Sequence, residues 1–132
     1  MTRFVLKQVE AFTLENGECR FTVSLACNED EYIGEAISPD TEDRRLEAVA
    51  QATLQSISKF LPQSVRLRLD QAGKLTFSSQ AMVFVVVEIV EGLSLQFLSG
   101  TCLSNTASLD TAAKAILDAL NRKMEAYLPR EE

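Results

Sequence analysis

The sequence predicts an α+β fold made of duplicated β-β-β-α units, with two helices packed on one face of a largely antiparallel six-stranded sheet. Three observations carry this. Short runs alternate apolar and polar residues between turn signals, as strands do. Two longer stretches repeat apolar residues at spacings of three and four, as amphipathic helices do. The order of these elements is the same in both halves of the chain, about residues 3–62 and 64–129, within one domain over 1–132.

In the first half, "RFVLKQVEAFTL" and "CRFTVSLAC" alternate around "ENGE", where Asn16-Gly17 is a hairpin signal. Phe21, Val23, Leu25 and Cys27 share one face, with Arg20, Thr22 and Ser24 on the other. The acidic run "NEDE" turns the chain into a third strand, "YIGEAIS". Asp40 or Thr41 then caps a helix running to about Leu61, with Leu46, Val49, Ala50, Leu54, Ile57 and Leu61 as its inner stripe. The second half begins with "VRLRLD", turns at Gln71 to Gly73, and runs into the apolar stretch "MVFVVVEIV". A turn at Glu91-Gly92 leads to "LSLQFLSGTCLS". A helix from about Ser108 to Leu128 closes the half, with Leu109, Ala112, Ala113, Ile116, Leu120, Met124, Tyr127 and Leu128 inward. "YIGEAIS" aligns with "LSGTCLS", Gly34 on Gly100, and "KFLP" aligns with "AYLP", at offsets of 66 and 67.

The stretch 82–90 has a single polar side chain, Glu88. If Met82, Phe84, Val86 and Glu88 take one face, Val83, Val85, Val87 and Ile89 take the other. A large aliphatic group left in water forfeits about 1.5 to 3 kcal/mol, so both faces call for a cover. Three covers are open: the chain's own elements, a second copy, or a small apolar ligand or other protein. The homodimer is the expectation, with Val83, Val85, Val87 and Ile89 as its interface.

Composition narrows the function. The chain has 132 residues, 46% hydrophobic and 24% charged, in the range of one globular domain. Its net charge of -6 argues against nucleic acid and anionic membranes as partners. No apolar run reaches the length of a membrane span, and the start "MTRFVLKQVEAF" lacks a signal-peptide core, so the expected compartment is the cytoplasm. Three scattered cysteines, Cys19, Cys27 and Cys102, read as buried thiols rather than a disulfide framework. With no histidine, the commonest general base and metal ligand are both missing. No enzymatic activity, metal or cofactor is expected. Glu29, Asp30 and Glu31 read as a solvated hairpin tip, and Cys102 as a structural thiol.

Two places suggest ligand binding. Ser104, Asn105, Thr106 and Ser108 form a polar approach to the second helix, where backbone amides can hold an anion or simply be capped. Arg44 and Arg45 stand in the first turn of helix one, where cations are disfavoured. An anionic ligand explains that placement, and so does an ion pair with Glu42 or Asp43. Asn121 interrupts an apolar neighbourhood and reads as a hydrogen-bonding residue.

The doubled β-β-β-α pattern, the glycine ahead of each helix, and the ending "LSGTCLSNTASLDTAAKAILDALNRKM" resemble the leucine-sensing regulatory domain of 2-isopropylmalate synthase and citramalate synthase. That family carries a glycine-rich turn and Pro-Val-Asp-Ala at the start of its first helix, where this chain has "SPDTEDRRLEAV"; its Ser-x-Asn segment is approximated by Ser104-Asn105. The resemblance implies a dimeric regulatory fold without an attached catalytic barrel. The expected function is a non-catalytic, homodimeric, regulatory or small-molecule-sensing module for a small anionic or amino-acid-like ligand. The alternative is a structural adaptor that docks onto a larger protein.

Overall fold

The computed structural model describes residues 3–104 and 109–124. It has the expected order: β1 (Val5–Thr13), β2 (Glu18–Cys27), β3 (Asp30–Pro39), α1 (Glu42–Ser58), β4 (Val65–Phe77), β5 (Gln80–Glu91), β6 (Ser94–Ser104) and α2 (Asp110–Met124). No helix among the described residues is long and apolar enough to cross a membrane.

The six strands do not join into one sheet. They form two antiparallel meanders, β1-β2-β3 and β4-β5-β6. Helix α1 packs on β2 and β3 of its own unit and also on β4, while α2 packs on β5 and β6 and also on β1. The helices touch each other as well, so the pair bridges both sheets. This explains why their buried positions exceed a single stripe: Ala48, Ala52, Thr53 and Ser56 of α1 are buried along with Val49, Leu54 and Ile57. Small residues dominate these extra positions because the backbones approach closely there.

The two units match in detail. Each first strand is interrupted by one bulge, between Leu6 and Gln8 in β1 and between Leu69 and Gln71 in β4. Each third strand passes directly under its helix at a glycine. A Cβ on Gly34 would collide with the Ala52 carbonyl oxygen and lie 2.6 Å from the Ser56 nitrogen; one on Gly100 would collide with the Ala115 carbonyl and lie 2.5 Å from the Ala119 nitrogen. Ala52 and Ser56 are thus the structural counterparts of Ala115 and Ala119, a shorter offset than the two prolines suggest. Just past each glycine, a helix side chain takes the outward N–H of the edge strand. Gln55 Oε1 accepts from Glu35 N at 2.7 Å, and Asp118 Oδ2 accepts from Thr101 N at 2.9 Å. The ammonium of Lys59 donates to the outward Ile33 carbonyl. These bonds cover part of both sheet edges, which would otherwise offer free pairing groups.

Two further expectations change. Gln71 to Gly73 are not a turn: β4 runs on to Phe77, and the chain reverses at Ser78, whose φ is 52°. Gly73 lacks a side chain because the ring of Phe84 lies over it, 2.6 Å from where a Cβ would stand. Within the described residues the second helix, α2, runs from Asp110 to Met124, while Ser108, where it was expected to begin, and Tyr127 and Leu128 lie outside them. Finally, Val83, Val85, Val87 and Ile89 face the helices and belong to the chain's own core, with Val85 and Val87 fully buried. They do not form a dimer surface, because α2 occupies the face they were expected to present.

At the other end, Phe4, Tyr32 and Phe60 make a mutually edge-to-face cluster with ring centroids 5.3 to 6.0 Å apart. It ties the chain start to β3 and to the end of α1.

Candidate functional site

The first turns of α1 and α2 meet over one end of the second sheet. Between them lies a cleft of about 280 Å³ lined by Glu42, Arg45, Leu46 and Val49 of α1, Lys74 of β4, Ala81 and Val83 of β5, and Leu109, Thr111 and Ala112 at the start of α2. Its walls are aliphatic and its rim is charged.

The rim charges are paired. Arg45 Nε stands 3.0 Å from Asp40 Oδ1, and Lys74 Nζ donates to Glu42 Oε1 at 2.6 Å. The Lys74 hydrogen bond and charge, aided by Arg45, hold the Glu42 carboxyl below the usual carboxylate range. These pairs account for two cations near the positive end of α1, a placement the helix dipole disfavours. Thr41 is the N-cap residue, but its hydroxyl makes no capping bond, and Arg45 N reaches the Thr41 carbonyl at 2.8 Å. The opening of α1 is held by acidic residues in its first turn, Glu42 and Asp43, instead of a side-chain cap.

Of the residues expected to bind ligand, Arg45 lines the cleft. Arg44 does not; it points along the helix to Glu47, 3.9 Å away. Ser104 ends β6 opposite Ala81, a cleft residue, while Asn105, Thr106 and Ser108 lie outside the described residues. Val83, expected at a dimer interface, is a cleft wall. Sequence reasoning missed Lys74, which the misplaced turn had removed from β4, and Leu46 and Leu109, which read as plain core positions. The signal for the last two was their place at the start of each helical stripe.

Other candidates have structural roles. Asn121 is buried and bonded to the backbone of Phe4. Glu31 Oε1 accepts a hydrogen bond from the hydroxyl of the buried Ser24. Cys19 and Cys27 are buried and Cys102 is half-buried; all three are free thiols. Burial, with the nearby Asp30 charge, pushes the Cys27 thiol up, which keeps it protonated and poorly nucleophilic.

The arrangement suits a small molecule with an aliphatic body and an anionic end: apolar walls for the one, two cations and two helix N-terminal turns for the other. No protein-family model matches this chain, and no curated protein matches it.

Proposed function

We propose that this domain is a non-catalytic sensing module that takes a small, amino-acid-like carboxylate into the cleft between α1 and α2. The observation that carries the reading is the composition of that cleft, with Arg45 and Lys74 on its rim above Leu46, Val49, Val83 and Ala112. Its volume sits at the low end of ligand sites, about 300 Å³ and upward, which favours a compact ligand. An incoming carboxylate exchanges with Asp40 or Glu42 for a cation already in place. Because the lining comes from both β-β-β-α units, binding joins the two halves and stabilises the folded state by linkage. Without histidine in the chain, a binding role fits these residues better than acid–base catalysis. The free thiols suit a reducing cytoplasm.

The test is a thermal-shift screen of aliphatic amino acids, their amides, and short branched carboxylates at millimolar concentration. A carboxylate that raises the melting temperature in a saturable manner, and loses its effect in the double variant Arg45→Met, Lys74→Met, is the expected result. Melting that is unchanged across the panel would remove the reading. An adaptor that docks onto a larger protein is the second reading, favoured by the apolar outer face of the second sheet, and it predicts no response to small carboxylates.

A further inference from the structure

The outer faces of the two sheets differ in how their apolar residues are grouped. On the first sheet Arg20 stands between the exposed Phe12 and Ile37, the row Glu10, Thr22, Glu35 separates them from the exposed Ile33 and Val5, and Arg20 lies 4.0 Å from Glu35. On the second sheet the strand register places Leu75 and Phe77 of β4, Met82, Phe84, Val86 and Val90 of β5, and Leu95, Phe97 and Leu103 of β6 on one surface. Leu75 is 50% exposed, Phe97 54% and Leu103 60%. A helix pair that already covers the inner face leaves this surface open among the described residues.

We infer that the outer face of β4-β5-β6 is the seat of a second copy of this chain. The area is sufficient. Strands of 13, 12 and 11 residues make the face. At about 3.3 Å per residue and about 4.8 Å between strands it spans roughly 500 Å² in projection. A two-fold pair of such faces buries on the order of 1,200 to 1,500 Å² of accessible surface, within the class of stable interfaces.

Charge points to a copy of the same face. The acid at its middle, Glu88, is mostly buried and already matched by Arg68 of its own chain, 3.5 Å away, so the centre of the face does not call for a charged partner. Val86 stands at its centre, between Gln71 and Ser99. A two-fold axis crossing the strands there lays Met82 and Leu103 of each copy over Val90 and Leu95 of the other, and holds the two Glu88 side chains apart. The same axis leaves the exposed Arg66 of the edge strand β4 at the rim, over Leu75 of the other copy, while the apolar residues between meet their own kind, as a self-complementary interface requires.

The test is the solution mass by light scattering across a hundredfold concentration range, for the wild type and for the double variant Phe97→Glu, Leu103→Glu. Both residues are exposed in the single chain, so the variant keeps its cooperative melt. The expected wild-type mass is twice the 14.6 kDa chain, and the variant falls to one chain with dimer affinity weakened at least a hundredfold. Leu95→Lys, at another exposed position, gives the same direction of change if the double variant does not fold. A wild-type monomer throughout the range overturns the inference and leaves the face to a foreign protein or to the chain's remaining residues. A dimer that survives both variants also overturns it, since another surface would then hold the copies together.

Discussion

Asn121 of α2 holds Phe4 by both backbone groups: its Oδ1 accepts from the Phe4 N–H at 3.1 Å and its Nδ2 donates to the Phe4 carbonyl at 3.3 Å. The pair spans 117 positions of sequence and joins the second unit to the residue just ahead of the first strand of the other. Both residues are buried, so removing the amide leaves two backbone groups without partners away from water. Each such group costs about 1 to 3 kcal/mol. Asn121→Leu is therefore expected to lower unfolding stability by about 2 to 4 kcal/mol in urea titration, and to speed amide exchange along β1 first. Stability equal to wild type would show that the side chain is not a clasp.

Gly34 and Gly100 test the duplication. Each lies where a helix backbone crosses its third strand, and the atoms a Cβ would strike are backbone atoms, which cannot rotate away. Overpacking of this kind costs about 1 to 3 kcal/mol or more. Gly34→Ala and Gly100→Ala are expected to destabilise by similar amounts, each about 3 kcal/mol or more. Gly92, with φ of 61° and open space around it, supplies the control; Gly92→Asn should cost well under about 1 kcal/mol, because asparagine tolerates that conformation.

The element order, the helix stripes, the Asn16-Gly17 reversal and the paired glycines were legible because each is encoded within a few neighbouring residues. The orientation of β5 was not. Its two side-chain sets are both apolar, and a period of two says that they face opposite ways without saying which way is inward. That depends on where α2 lands. The splitting of the strands into two sheets likewise goes with each helix packing on a strand of the other unit, α1 on β4 and α2 on β1, a long-range event. Gly73 misled for a related reason: a glycine within a strand can serve a neighbour's ring as well as a turn. In the cleft, Lys74 meets Glu42 across 32 positions, a separation that leaves no local pattern. The orientation of β5 has a direct check. Val85→Glu with Val87→Glu places two carboxylates in the core and is expected to abolish the cooperative melt by circular dichroism. A folded double variant would mean that these valines do not face the helices.

The Glu42–Lys74 pair makes a prediction about both pH and ligand. The Glu42 carboxyl titrates below its ordinary value of 4.5 in the folded chain. The unfolded state therefore takes up its proton first as the pH falls, and the pair's contribution to stability is present above pH 4.5 and is lost as the pH drops through the lowered folded value. Glu42→Gln should melt slightly below wild type at neutral pH, and the gap should close on acidification below about pH 4. Because Glu42 is exposed, high salt should also close it. A gap that persists at pH 3 would assign the effect to packing instead of charge. At neutral pH the same variant leaves Lys74 without its carboxylate on the cleft rim. If the cleft binds a carboxylate, the substitution removes a competitor, and the ligand-induced rise in melting temperature should be larger in Glu42→Gln than in wild type. A site elsewhere on the molecule predicts the same rise in both, so this comparison locates the ligand even though the charge pair itself adds little to the fold.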